Sequence, residues 1–317
     1  MALLSPSMKD GDVVVAPVAY SSQTEQVIAA QAVKTIVNVW NTDQEAPSFK
    51  ASLSEKLTCL QVDPSETVLL GGGESGTLYV WELPSGLLLR KFPAHNKKII
   101  GIAVDDELCI TTASHSEAKV WSMLSVFCDQ AKEIRHKQMV NMKDRLLDIK
   151  VANGRLLVLS ESAALVYKLH NAEKEQVFQM EGASCFSCDP TSNHLYVGSS
   201  SGAIVEFRID KSTEYHEVVL GADGIEIVKT AKERTLVGHK HAVSCLTWMN
   251  SLKYLVSGSK QGELIVWQNG QIKKQITLKL ELCQLLTIPR PSNHRPNSKK
   301  VQIPRMKALH KYEQKNN

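Results

Sequence analysis

The chain has 317 residues, of which 43% are hydrophobic and 22% charged, and its formal net charge is +4. This composition supports a sizeable core, and no apolar run approaches the roughly 18–20 residues that a membrane span needs. Seven cysteines, an odd number in a long chain without a basic and apolar leader pattern, predict reduced thiols. We therefore expect a soluble intracellular protein with no membrane partner.

In chain order, short strands end on an aromatic residue at a regular spacing. We call this residue the closing aromatic of its unit. The successive separations are 41, 40, 46, 40 and 60 residues. The closing aromatics are Trp40, Trp81, Trp121, Tyr167, Phe207 and Trp267. A period of about 40–45 residues with several short strands per unit is typical of β-propeller blades.

Two further residue types keep a constant distance from the closing aromatic. In three units a cysteine stands 22 positions before it, and a glycine stands five positions before it. These residues are Cys59, Cys185 and Cys245, with Gly76, Gly202 and Gly262. Agreement at both offsets indicates true repeats, and the glycines predict tight turns before the closing strand.

Three stretches depart from the period. Residues 129–145 are strongly charged and poor in strand signal, so they predict a lengthened connection between blades. Residues 210–234 contain an insertion, which we interpret as an extended hairpin or loop projecting from the rim. After an outer strand near residues 273–279, an inner strand over 283–288 begins a unit that is not completed. The prediction is an all-β propeller over residues 1–288, with six recognisable blades and an incomplete seventh.

Motifs that could carry chemistry have stronger structural explanations. Cys185 and Cys188 form a CxxC pair, but on a strand positions i and i+3 face opposite sides and cannot share a metal. The Gly71–Gly76 loop leads into a strand rather than a helix, so it does not predict a phosphate site. His239 follows a glycine before a first strand, where we expect it to hydrogen-bond inside its blade. We predict no metal, no cofactor and no catalytic residue.

Residues 289–317 form a basic, partly extended tail. It holds eight Lys/Arg and one Glu, together with several prolines. Clustered cations can bind RNA or an acidic partner, and they can equally form a solubilising end. The residues proposed for partner or RNA contact are Lys299, Lys300, Arg305, Lys307 and Lys311.

These units resemble the WD-repeat family, in the Gly-His step, the Ser-Gly-Ser strand and the Gly-x-x-x-x-Trp ending of residues 236–267. Within that family the order of features resembles the WD-repeat subunit of the Rix/IPI complex of ribosome biogenesis, the PELP–TEX–WDR complex of animals. The similar blocks are residues 56–89, residues 182–207, the insertion before TLVGHKHAVSCL, and residues 282–304.

The resemblance implies a non-enzymatic scaffold of the nucleus, in nucleolus and nucleoplasm. Its implied role is pre-rRNA spacer processing and maturation of the precursor large ribosomal subunit. The implied partners are a PELP-type scaffold, a TEX/IPI-type subunit, the midasin AAA ATPase and the pre-large-subunit particle; direct RNA contact stays open. Alternatives are a generic WD-repeat adaptor, such as a ubiquitin-ligase substrate receptor or a trafficking scaffold, and a propeller enzyme.

The resemblance also implies structural blade positions at His239 and at the four tryptophans Trp267, Trp81, Trp121 and Trp40. The aspartate that the family places six residues before the closing Trp is replaced by Ser75, His115 and Gln261. We therefore expect an incomplete polar tie in these blades and a greater dependence on apolar packing. The first unit corresponds to the family's second, which leaves open how the propeller closes.

Overall fold

The computed structural model describes residues 17–31, 34–42, 46–105, 109–127, 138–141, 144–189, 191, 194–209, 216–220, 226–230, 234–279, 282 and 284–285. Within these residues the chain forms six sheets, five with four strands and one with six. We name the sheets blades A to F in chain order. They match the six units that the closing aromatics predict, and the fold is an all-β propeller architecture.

Blades A, B and C comprise strands β1 to β12 and one short helix. Blade A contains β1 (Val18–Ser21), β2 (Gln26–Ala30), β3 (Ile36–Asn41) and β4 (Phe49–Ser52). Blade B contains β5 (Leu57–Val62), β6 (Val68–Gly73), β7 (Thr77–Glu82) and β8 (Leu88–Pro93). Blade C contains β9 (Gly101–Val104), β10 (Cys109–Ala113), β11 (Glu117–Ser122) and β12 (Gln138–Asn141), with α1 (Met123–Phe127) after β11.

Blades D, E and F comprise strands β13 to β26. Blade D contains β13 (Leu146–Ala152), β14 (Arg155–Ser160), β15 (Ala163–Lys168) and β16 (Lys174–Gln179), to which β20 (His216–Leu220) and β21 (Glu226–Thr230) are added. Blade E contains β17 (Ala183–Asp189), β18 (His194–Ser199), β19 (Ala203–Arg208) and β22 (Arg234–Val237). Blade F contains β23 (Val243–Met249), β24 (Tyr254–Ser259), β25 (Glu263–Gln268) and β26 (Gln271–Thr277).

The described residues belong to two compact units, one with blades A and B and the other with blades D, E and F. In each unit the middle strands are buried along nearly their whole length, as β6 and β14 show. Their apolar runs pack on both faces, which is why these strands lack a polar and apolar alternation. The closing aromatics Trp81 and Phe207 are among the largest fully buried side chains.

A repeated hydroxyl joins successive blades. Ser184 Oγ donates to Gly198 O at 3.0 Å within blade E and lies 2.6 Å from Val243 O of blade F. Thr58 bonds in the same way to Gly72 O of its own blade and to Ile99 O before blade C. All three units with the cysteine repeat carry this hydroxyl one position before the cysteine, 23 positions before the closing aromatic.

Ser244 makes the corresponding pair of bonds at the far side of blade F. Its hydroxyl lies 3.2 Å from Gly258 O and also bonds Leu282 O. Leu282 N in turn donates to Ser259 O at 3.4 Å, as Ile99 N donates to Gly73 O at 3.2 Å. Leu282 therefore takes the same place against blade F that Ile99, just before blade C, takes against blade B. Of the predicted inner strand over 283–288, only Gln284 and Leu285 lie inside the described residues, and neither is in a strand.

Two predictions about the irregular stretches need correction. Residues 129–145 were expected to form a lengthened connection between blades, but β12 (Gln138–Asn141) lies inside them and is the fourth strand of blade C. The fourth strand is an edge strand that needs backbone pairing more than an apolar face, so its sequence signal is weak. Residues 128–137 lie outside the described residues.

The insertion does contain a hairpin, but it does not project freely from the rim. β20 and β21 pair antiparallel, and β21 runs parallel to β16, with Val177 opposite Lys229. The hairpin thereby extends blade D to six strands. The region predicted as insertion ends at residue 233, because Arg234 already begins the fourth strand of blade E.

Candidate functional site

The side chains of blade F form a chain of polar contacts around its closing aromatic. Trp267 Nε1 donates to Ser257 Oγ at 2.7 Å, and His239 Nε2 lies 2.6 Å from the same oxygen. His239 and Ser257 are buried, so both groups need these partners. The same hydroxyl donates to Ile265 O at 3.4 Å, so the two rings and the backbone of β25 meet at Ser257.

Glu263 supplies the carboxylate that Gln261 lacks. Its Oε2 lies 3.5 Å from His239 Nδ1 and accepts a hydrogen bond from Lys240 N at 3.1 Å. Burial lowers the pKa of His239 below 6.5, against the opposing effect of Glu263, so the ring is neutral at neutral pH. A carboxylate two residues further along the chain thus lies beside the same histidine. His239 Nδ1 nevertheless has no hydrogen-bond partner among the described residues, so the tie of blade F is incomplete, as expected.

Blade B holds its closing aromatic without such a tie. Gly71 stands ten positions before Trp81, where Ser257 stands before Trp267, and Trp81 Nε1 has no hydrogen-bond partner among the described residues. The Trp81 ring stacks on Tyr79 with centroids 5.5 Å apart and planes 9° apart. A Cβ atom at Gly71 would lie 2.8 Å from Trp81 Cζ3, so the ring occupies the space of a side chain there.

A different polar cluster replaces the tie in blade B. Glu55 accepts hydrogen bonds from Tyr79 Oη at 2.7 Å, from Ser75 N at 2.7 Å and from Ser75 Oγ at 2.8 Å. Ser54 Oγ lies 3.1 Å from Tyr79 Oη. Ser75, one of the residues that replace the expected aspartate, thus anchors the turn through a glutamate from the segment before the blade.

The other predicted blade positions are closing aromatics in blades A and C. Trp121 is buried and meets Phe92 edge-on, with centroids 5.2 Å apart. Trp40 is half-buried on β3, opposite Val27. The blade C residue that corresponds to Ser257 of blade F lies on β10, whose side chains are outside the described residues. The blade that carries His115 therefore cannot be compared with blade F at this position.

The repeated cysteines lie against glycines of the next strand. A Cβ atom at Gly198 would be 2.8 Å from Cys185 Sγ, and one at Gly258 would be 2.7 Å from Cys245 Sγ. Burial raises the pKa of Cys185 to about 12, which keeps it a thiol. These thiols therefore act as small core side chains.

A cavity of about 400 Å³ lies between blades E and F at the end of the strands where Asp189 and Trp267 lie. Its walls include aromatic, acidic and basic side chains. Tyr196 and Trp248 stack across the two blades with centroids 5.4 Å apart and planes 13° apart. The charged, titratable and aromatic residues in its walls include Asp189, His194, Tyr196, Glu206, Arg234, Trp248 and Lys253.

Glu206 lies at the centre of the charges in this cavity. Its carboxylate lies 3.8 Å from Arg234 Nε and 3.8 Å from His194 Nε2. Arg234 lies over Gly270 and donates to Asn269 O at 2.6 Å, so it bridges blade E to blade F. Burial raises the pKa of Tyr196, and the charges of Glu206 and Asp189 raise it further. The sequence pattern did not predict this cavity. The one feature that pointed to it was the insertion, because Arg234, which lines the cavity, follows directly after it.

The tail residues Lys299, Lys300, Arg305, Lys307 and Lys311 lie outside the described residues. Within the part of the chain that the structure describes, no helix is long and apolar enough to span a membrane. In the same part, no group of three His, Cys, Asp or Glu side chains is arranged to hold a metal ion.

The four-stranded blades, the regular closing aromatics and the Gly-His tie of blade F define a WD-repeat β-propeller protein. The family described as WD domain, G-beta repeat matches residues 46–82 and 231–268, which cover most of blades B and F. Blades B and F are the two blades that combine a closing tryptophan with the repeated cysteine and the repeated hydroxyl.

Within this class the chain resembles proteins named for pre-rRNA processing. It is 26% identical over 79% of its length to pre-rRNA-processing protein IPI3 of Yarrowia lipolytica. It is 24% identical over 80% of its length to pre-rRNA-processing protein crb3/ipi3 of Schizosaccharomyces pombe. A third relative, protein ROOT INITIATION DEFECTIVE 3 of Arabidopsis thaliana, is 24% identical over 75% of the chain.

The aligned region spans only part of each relative. It covers 61% of the Yarrowia protein, 64% of the Schizosaccharomyces protein and 54% of the Arabidopsis protein. The match thus spans less than two thirds of the length of each of these three relatives.

Proposed function

We propose that this protein is a non-enzymatic scaffold subunit of a nuclear complex that acts in pre-rRNA spacer processing and in maturation of the precursor large ribosomal subunit. The observation that carries the proposal is the similarity over about four fifths of the chain to two proteins named for pre-rRNA processing. A third such relative, pre-rRNA-processing protein pro-1 of Caenorhabditis elegans, is 26% identical over 67% of the chain.

The architecture supports a scaffold role. Blades are held to their neighbours by buried apolar side chains and by repeated hydroxyl bonds, so their turns are presented on a rigid frame. Histidine is the side chain best suited by type to acid and base chemistry, and His239 is buried in the tie with Ser257 and Trp267. Rigid frames with variable turns suit protein binding, and the fold alone does not determine which protein is bound.

The proposed partners are a PELP-type scaffold, a TEX/IPI-type subunit, the midasin AAA ATPase and the pre-large-subunit particle. The proposed location is the nucleus, in nucleolus and nucleoplasm. Direct contact with RNA is proposed only for the basic tail, where clustered Lys and Arg side chains can displace counterions from phosphates.

Depletion of the protein tests the role. We expect spacer-containing precursor RNA to accumulate, and affinity-tagged protein to co-sediment with precursor large subunits and to recover the proposed partners by mass spectrometry. Sedimentation as a free monomer, with unchanged precursor RNA after depletion, would contradict the proposal. Recovery dominated by cullin or coat subunits would instead support the adaptor alternative.

A second experiment separates the tail from the blades. Glutamine replaces Lys299, Lys300, Arg305, Lys307 and Lys311 together in the full chain. If the tail contacts RNA, ultraviolet crosslinking to precursor RNA should fall while recovery of protein partners stays unchanged. Unchanged crosslinking would leave the tail as a solubilising end.

A further inference from the structure

The cavity between blades E and F separates its charges by depth. The carboxylates of Asp189 and Glu206 belong to residues that are only 4% and 9% exposed. The cations lie further out: the Arg234 side chain is 51% exposed, and Lys253 stands exposed in the turn before β24. A group that enters past the rim therefore meets negative charge.

The pKa of the Tyr196 hydroxyl reflects the negative charge inside the cavity. The hydroxyl bonds to Glu206, and after burial itself the charges of Glu206 and Asp189 are the main causes that raise the pKa of Tyr196. An environment that disfavours a phenolate favours a cation at the same place. The stacked rings of Tyr196 and Trp248 add aromatic surface, which also attracts cations.

Glu206 keeps capacity to accept a further donor. Its two neighbouring basic groups, on Arg234 and His194, both stand 3.8 Å away, beyond hydrogen-bond distance. An ionised carboxylate has about four acceptor positions, and the contact with Tyr196 uses one of them. A guanidinium or ammonium group is the donor that matches such a carboxylate best.

We propose that this cavity is a recognition pocket for a basic side chain, arginine or lysine, presented by an extended segment of a partner protein. The cation lies between Glu206 and Asp189, and its methylene stem packs on Tyr196 and Trp248. The proposal does not rest on the ribosome-assembly role, because an adaptor of any other pathway could use the same pocket.

Capped peptides that differ only in one central side chain test the pocket on the full chain. The peptides are Gly-Gly-Xaa-Gly-Gly with arginine, lysine, the neutral isostere citrulline, or norleucine, each with a fluorophore for anisotropy. We expect the arginine and lysine peptides to bind about tenfold or more tightly than the neutral ones, since bonds between charged groups are the strong ones. Equal binding of arginine and citrulline, or no saturable binding at millimolar peptide, overturns the proposal.

Two substitutions place the binding in this cavity. Glu206→Gln should weaken the arginine peptide about tenfold, whereas Glu161→Gln, at an exposed carboxylate in blade D, should leave it unchanged. Circular dichroism and a thermal melt check that Glu206→Gln is folded. A folded Glu206→Gln variant with unchanged affinity overturns the assignment.

A pair of surface substitutions keeps the test decisive if Glu206→Gln does not fold. Lys253 and Lys260 are both exposed and stand at opposite ends of β24, so Lys253→Glu and Lys260→Glu change the net charge equally. Lys253→Glu should tighten the arginine peptide about two- to fivefold, because the rim loses a repelling charge and gains an attracting one. The same affinity in both variants would show that the peptide reads only the net charge and would overturn the proposal.

Discussion

Blades F and B share the same strand order, the same turn glycine and a closing tryptophan, yet they hold that tryptophan by different means. In blade F Trp267 Nε1 bonds to Ser257 Oγ, which also bonds to His239, and Glu263 lies 3.5 Å from the other nitrogen of that histidine. In blade B glycine replaces the serine, and the Trp81 ring packs directly on the backbone there. Polar contacts in blade B move instead to Glu55, Ser75 and Tyr79, near the turn.

The comparison shows that a polar tie is one of two ways in which these blades hold a large buried ring. The glycine of blade B leaves room for the indole ring, whose Nε1 group has no hydrogen-bond partner among the described residues. The serine of blade F accepts a hydrogen bond from the Nε1 group of its indole ring. Both arrangements bury the ring completely or nearly so, with Trp81 at 0% and Trp267 at 3% exposure.

The substitution with the largest expected effect removes the hydroxyl at the centre of the tie in blade F. Ser257→Ala should lower the free energy of unfolding by about 2–6 kcal/mol, since it leaves both Trp267 Nε1 and His239 Nε2 buried without their partner, at about 1–3 kcal/mol each. Urea unfolding measures it, with the exposed Ser251→Ala as control. A loss as small as that of the control would mean that apolar packing alone holds Trp267.

The second prediction gives blade B the serine of blade F. Gly71→Ser should destabilise the protein by about 1–3 kcal/mol instead of creating a tie, because the new Cβ atom would lie 2.8 Å from Trp81 Cζ3. The double variant Gly71→Ser with Trp81→Phe removes that ring atom and should recover part of the loss. Stabilisation by Gly71→Ser alone would show that the two blades are interchangeable.

A third prediction compares the two indole groups directly. Trp267→Phe removes a hydrogen-bonded donor, whereas Trp81→Phe removes a donor that has no partner among the described residues. Both substitutions lose the same ring volume. The difference between their losses in free energy of unfolding therefore measures the hydrogen bond of the Trp267 indole. We expect Trp267→Phe to cost about 1 kcal/mol more. Equal losses would contradict the contrast between the blades.

The smallest effect is a pH dependence confined to blade F. The folded-state pKa of His239 lies below 6.5, so the unfolded chain binds the proton more readily, and stability is lost as the pH falls below about 6.5. Blade B has Leu53 at the corresponding position and contributes no such loss. Thermal melts at about pH 7.5 and about pH 5.5 should show a smaller pH difference for His239→Gln than for the unchanged chain. An identical pH difference would exclude His239 as its source.

Much of the blade pattern could be predicted from the sequence. The closing aromatics marked the third strand of every blade, and Gly76, Gly202 and Gly262 take φ values of 90°, 89° and 85°, as their turns require. These features are local, because a strand's apolar pattern and a turn's backbone conformation depend on neighbouring residues. The repeated hydroxyl at Thr58, Ser184 and Ser244 stood at a constant offset as well, but its partners are in the next blade and its role became visible only there.

The sequence by itself determined the repeat, the third strand of each blade and the class of protein, because side-chain periodicity and turn chemistry depend on short stretches. Only the tertiary structure decided the long-range pairings. It placed Glu263 beside His239 in blade F, paired β21 with β16, assigned β12 to blade C, and brought Glu206 and Arg234 together with Trp248. Each of these depends on which strands become neighbours, and edge pairing and charge contacts across blades leave no period in the chain.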